Sequence, residues 1–204
     1  MKSNIFFLAV FALCMSACHN KNNTDTSTAT SMDSSSKMTG DSSTAAKDTT
    51  GGSSMQSMAD DSSFLTKAND IGMFEIKIGQ LAQSNSQNAN VKEMANMMIQ
   101  DHTAFGKKVM DQAQKENITL PAALCDKSQK EYDKLNKLNG QAFDKEYANV
   151  NVKGHKEAIE LFQKTASDSS ASPSVQQLAS SALPTLQKHL KHSEMLKSQL
   201  KMAS

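Results

Sequence analysis

Hydrophobic periodicity is absent from the first sixty or so residues of the chain and sustained through the rest. From Ser62 onward apolar residues recur three and four apart, the spacing that lines one face of an α-helix, and no period-two alternation of β-branched residues is kept up. Four long helices are expected. The first runs over 62–84, with Phe64, Ala68, Ile71, Ile78 and Ala82 on one stripe, and the second over 88–117, with Val91, Ala95, Met98, Phe105 and Val109. A connection over 118–127 and a short helix over 128–138 follow, closed by Asn139-Gly140, residues that accept the left-handed backbone at which helices stop. The third long helix, 141–167, carries Tyr147, Ala158 and Phe162; the fourth, 174–200, carries Val175, Ala179, Ala182, Leu186, Leu196 and Leu200. Pro184 falls inside the fourth. It removes one helical N–H and crowds the preceding turn, so a kink or short break is expected near Ser180 and Ser181.

Tight turns join the first helix to the second and the third to the fourth, and a longer connection links the two pairs. This predicts an all-α fold: an antiparallel four-helix bundle of ferritin-like topology, with one long crossover connection containing a short extra helix. The polar residues on the apolar stripes then carry the chemistry. Continued at helical spacing, the stripes place Glu75 between Ile71 and Ile78, His102 between Met98 and Phe105, His155 between Asn151 and Ala158, and His189 between Leu186 and Ser193. Each lies about halfway along its helix, and antiparallel helices of similar length meet at their midpoints. The four side chains are expected to converge at one level.

Four of the five His belong to the helical region, and three of those sit at this level, which random surface placement would not give. Glu75, His102, His155 and His189 are therefore the candidate ligands of a mononuclear divalent metal ion, since a carboxylate and imidazoles from separate helices suit Zn, Fe, Mn or Cu. The alternative, which the residues favour at this point, is a buried hydrogen-bond network completed by Asp101 or Asp144; it would fix helix register and need no ligand. A di-iron carboxylate site is not expected. It needs Glu-x-x-His pairs, and the residues three before the histidines are Ile99, Val152 and Leu186. His189 and His192 form His-x-x-His, but His192 near the helix end reads as solvated. The segment Ile99-Gln100-Asp101-His102 is echoed by Val152-Lys153-Gly154-His155, as though two related hairpins made the bundle, with Gly154 standing where Asp101 stands in the first copy.

The N-terminal part points to export. Lys2 supplies a positive start, Ile5 to Leu13 form an apolar run too short for a lasting membrane span, and small residues Ser16 and Ala17 precede Cys18. Leu13-Cys14-Met15-Ser16-Ala17-Cys18 resembles the lipobox of bacterial lipoproteins, with Met15 where leucine is usual. The resemblance implies a signal peptide over 1–17 and lipid attachment at Cys18, holding the protein to a membrane through buried acyl chains. His19 follows in place of the Asp that favours inner-membrane retention, so an outer-membrane lipoprotein facing the periplasm is expected. Cys14 leaves with the signal, and Cys125 is left without a disulfide partner. Residues 18–61 are rich in Ser, Thr and Asp and lack aromatic residues. They are expected to form a disordered, acidic tether, spanning on the order of 35 Å as a flexible coil, with the folded domain over 62–204.

Charge excludes one class of partner. The chain carries 22 basic residues against 21 acidic ones, and every basic residue is Lys. A near-neutral chain without guanidinium groups is not built for nucleic acid. Neither a Gly-x-Ser-x-Gly nor a phosphate-binding glycine loop occurs, so nucleophilic catalysis has no support.

The set Glu75, Asp101-His102, Leu120-Pro121, Phe143-Asp144 with Tyr147, His155, and Leu183-Pro184 with Leu186 and His189-Leu190 resembles bacterial domain-of-unknown-function family 4142, described as predicted outer-membrane or exported proteins. The resemblance covers residues 64–196 and implies membership of the ferritin-like superfamily, but no reaction or substrate. The expected function is that of a lipid-anchored cell-envelope protein, a non-enzymatic binding or structural module whose partners are the membrane and an envelope protein. The alternative is a metal-binding or redox and stress-related protein using the Glu/His cluster.

Overall fold

The computed structural model describes residues 50–202; the expectations for residues 1–49, including the signal segment, Cys18 and most of the tether, lie outside them. Five helices account for the fold: α1 (Thr50–Asn85), α2 (Ala89–Lys115), α3 (Asp126–Asn136), α4 (Gly140–Ser167) and α5 (Pro173–Met202). Among the described residues there is no strand. No described helix is long and apolar enough to cross a membrane.

Local sequence sets the helix ends. Asn88 caps α2, its side-chain oxygen accepting the N–H groups of Asn90 and Val91. Asn117 ends the same helix with a left-handed φ of 55°, allowing the N–H of Ile118 to return to the carbonyl of Ala113 at 2.8 Å. Gly140 takes φ 56° at the α3–α4 turn, a backbone that other residues adopt only at a cost.

Two expectations need correction. Helix α1 begins at Thr50, inside the stretch 18–61 expected to be a disordered tether, and Gly51-Gly52 does not break it. The anchor is Asp61, whose carboxylate is buried and accepts the N–H of Ser172, in the α4–α5 turn, at 3.0 Å. Once that turn is fixed, each added residue costs only propagation, and the Gln56–Asp60 hydrogen bond supports the extension. Of the kink or short break expected near Ser180 and Ser181, the break does not occur: helix α5 runs through Pro184. The hydroxyls of Ser180 and Ser181 bond to the carbonyls of Gln177 and Leu178 just before the proline, and Ala182 and Leu186 are buried on either side of it.

The strongest packing is α1 on α2 and α4 on α5; α1 also meets α4, and α2 meets α5. Pairs such as Asn90 with Gln199 and Gln112 with Ser174 show α2 and α5 to be antiparallel. In the same way Phe64 packs on Phe162 and Glu75 approaches His155, so α1 and α4 are antiparallel. Helices α2 and α4 then point the same way, and the crossover between them travels the length of the bundle. It runs beside α1, tied by Asn69 to the Pro121 carbonyl and by Asn85 to the Leu138 carbonyl.

The core is two apolar clusters. One contains Ile78, Met98, Phe143, Tyr147 and Leu196; the other contains Phe64, Leu65, Val109, Phe162 and Leu186. On every long helix buried polar residues lie between them: Glu75 on α1, His102 on α2, Asn151 and His155 on α4, and His189 and Ser193 on α5.

Candidate metal centre

Helical spacing along four amphipathic stripes brings these groups to one level, as a polar layer between two hydrocarbon ones. The rings of His102, His155 and His189 lie 5.2–5.8 Å apart, centroid to centroid. Each offers a ring nitrogen lying within 4.8 Å of the others'. All three histidines are buried.

Hydrogen bonds behind the rings decide where the protons are. His155 Nδ1 is 2.9 Å from the carbonyl of Asn151, and a carbonyl only accepts, so Nδ1 carries the hydrogen. His189 Nε2 is 2.8 Å from Asp101 Oδ2; the carboxylate accepts, so Nε2 carries the hydrogen there. The remaining nitrogens, His155 Nε2 and His189 Nδ1, face each other across 3.3 Å. Burial disfavours the charged imidazolium, pushing His155 down to about 4 and His189 below its ordinary 6.5. Both rings are neutral near pH 7, and two lone pairs meet. His102 Nε2 is buried without any hydrogen-bond partner, and burial and the neighbouring rings push that histidine down to about 3.

Such an arrangement attracts an electrophile. A tetrahedral ion bound at 2.0–2.1 Å sets its nitrogen ligands about 3.3 Å apart, the separation of His155 Nε2 and His189 Nδ1. Asp101 stands behind His189 as carboxylates stand behind metal-bound histidines, fixing ring orientation and tautomer. A cavity of about 160 Å³ lined by Asp101, His102, Phe105, Lys108, Thr185 and His189 connects the cluster with solvent between α2 and α5.

Glu75 stands apart from the three nitrogens. Its Oε1 lies 3.8 Å from His155 Nδ1, on the far edge of that ring, and its Oε2 has no partner. Burial pushes its carboxyl up to about 8, and Tyr147, raised above its ordinary value by burial, lies close enough to feel its charge. Asp144 is buried on α4 three turns before His155, about 16 Å along the axis. It makes no hydrogen bond to the cluster, and its Oδ1 has no partner. His192 is exposed and outside the cluster. Sequence reasoning missed the Asn151 carbonyl that orients His155, because a backbone acceptor leaves no trace in residue identity. It also missed Asp70, which accepts the Cys125 N–H at 2.7 Å and bonds to the Cys125 thiol and the Ser128 hydroxyl. Cys125 is exposed and its contacts are polar.

Fold and cluster together define an all-helical bundle protein with a buried tri-histidine layer at its midpoint. The chain belongs to the family described as Domain of unknown function (DUF4142), which it matches over residues 42–196. No curated protein matches it. Among solved structures it is similar to the crystal structure of a DUF305 fragment from Deinococcus radiodurans, at 12% identity and a TM-score of 0.61, covering 69% of this chain and 96% of that one. At that identity the likeness concerns the helical fold alone.

Proposed function

We propose that this is a lipid-anchored envelope protein whose bundle binds one divalent transition-metal ion through His102, His155 and His189. The observation that carries the metal reading is the pair of ring nitrogens, His155 Nε2 and His189 Nδ1, that face each other at 3.3 Å with both hydrogens committed elsewhere. A hydrogen-bond network complete in itself would place a donor opposite an acceptor at that point. The nitrogen donors suit Zn²⁺ first, with Cu²⁺, Ni²⁺ and Fe²⁺ as further members of the class. Three protein ligands leave a position open to solvent or a small molecule, and the cavity beside His102 and His189 is the side from which it would be reached. Anchoring rests on the sequence at Cys18 and the apolar run before it.

The test is elemental analysis of the purified full chain, with melting temperature measured before and after a chelator. Stoichiometric metal whose removal lowers the melting temperature supports the proposal. A metal-free protein that zinc does not stabilise leaves the cluster a structural network and the protein a binding or structural module.

A further inference from the structure

On the face opposite Asp101 a second, larger cavity of about 510 Å³ opens between α1, α4 and the start of α3. Its size is that of small-molecule sites, and its walls are mainly apolar, with Ile71, Phe74, Val150 and Leu161 prominent. Glu75, 2% exposed, lines its inner end, with Oε2 lacking any hydrogen-bond partner. Gly154 keeps that end open. A Cβ there would stand 3.3 Å from Glu75 Oε1 and meet nothing else within 4 Å, so any longer side chain would enter the space beside the carboxyl group.

The rim carries Lys67, Lys127 and Lys153 against Asp70, Glu131 and Glu157. Lys127 and Lys153 both pair with Glu157, at 3.2 and 3.9 Å. With three charges of each sign, and pairing among them, the mouth selects neither an anion nor a cation. We infer that this cavity binds an uncharged, largely apolar small molecule that presents one hydrogen-bond donor, a hydroxyl or an N–H, to Glu75. Apolar walls take the body of the ligand, and the donor satisfies an oxygen otherwise buried unpaired. The site is independent of the metal ligands, because Glu75 lies behind His155 and away from the three converging nitrogens.

The probe is N-phenyl-1-naphthylamine, an uncharged apolar molecule with one N–H, titrated by fluorescence into the full chain carrying Cys18→Ser so that no detergent is needed. One saturable equivalent, displaced by 1-decanol, is expected. Gly154→Leu and Thr66→Trp, on opposite walls, should each weaken binding at least about tenfold with helicity unchanged. Glu75→Gln, which keeps an accepting oxygen, should bind within a few-fold of the parent, and Glu75→Leu about tenfold more weakly. Non-saturable uptake, or equal affinity in the parent and both blocking variants, overturns the site; equal affinity in the parent and Glu75→Leu overturns the role of Glu75.

Discussion

Replacing Glu75 by Gln should change how stability depends on pH more than it changes the structure. The Glu75 carboxyl is pushed up to about 8 by burial, from 4.5 in an exposed setting. Between those values the folded chain keeps a proton that the unfolded chain releases, so stability falls as pH rises, by about 1.4 kcal/mol per pH unit. The histidines work in the opposite direction. With His102 and His155 pushed down to about 3 and about 4, and His189 also lowered, the unfolded chain below pH 6.5 takes up protons that the folded chain refuses. Stability of the metal-free protein should therefore peak near pH 7. From pH 7 to pH 8 the Glu75 contribution falls by about 1 kcal/mol, part of it offset as the last unfolded-state histidine protons leave. Glu75→Gln has no proton to lose, so the parent should fall by about 1 kcal/mol relative to it over that window, while both keep the acid-side decline. Urea unfolding followed by far-UV circular dichroism, at half-unit steps of pH with chelator present, measures both curves. Parallel curves in parent and variant between pH 7 and pH 8 refute the reasoning.

Asp101→Asn should weaken metal binding about 10- to 100-fold with the fold intact, because the group that fixes the His189 tautomer no longer does so as a carboxylate; competition with a chromogenic chelator reads it. Asp61→Ala should cost about 2 kcal/mol in urea unfolding, since it strips a buried charged acceptor from the Ser172 N–H; a change near zero would mean that the first turns of α1 are not anchored there. Gly140→Ala should cost about 1 kcal/mol through its positive φ, and an unchanged denaturation midpoint would contradict that.

Much of the bundle was legible because stripe spacing and turn residues act locally. Val91, Met98 and Val109 on one face of α2 announce a buried side, and Asn88 and Gly140 mark ends by their own backbone chemistry. The convergence of His102, His155 and His189 followed from the same spacing and the antiparallel midpoint rule. What was not legible depends on long-range partners. Asp61 looks like any acidic residue of a polar tether until Ser172, far along the chain, presents an N–H to it. Glu75 shared the level and the stripe of the histidines, but which edge of His155 it would approach depends on rotamers and helix rotation, which period alone does not set. The continuity of α5 through Pro184 is of the same kind, settled by packing against α4 and not by the proline.

The most direct measurement is X-ray absorption at the zinc edge of the full chain loaded with one equivalent of Zn²⁺. Three imidazole nitrogens at about 2.0–2.1 Å are predicted, falling to two in His102→Ala. Failure to retain zinc, or a first shell made of oxygen without imidazole, would contradict the tri-histidine site.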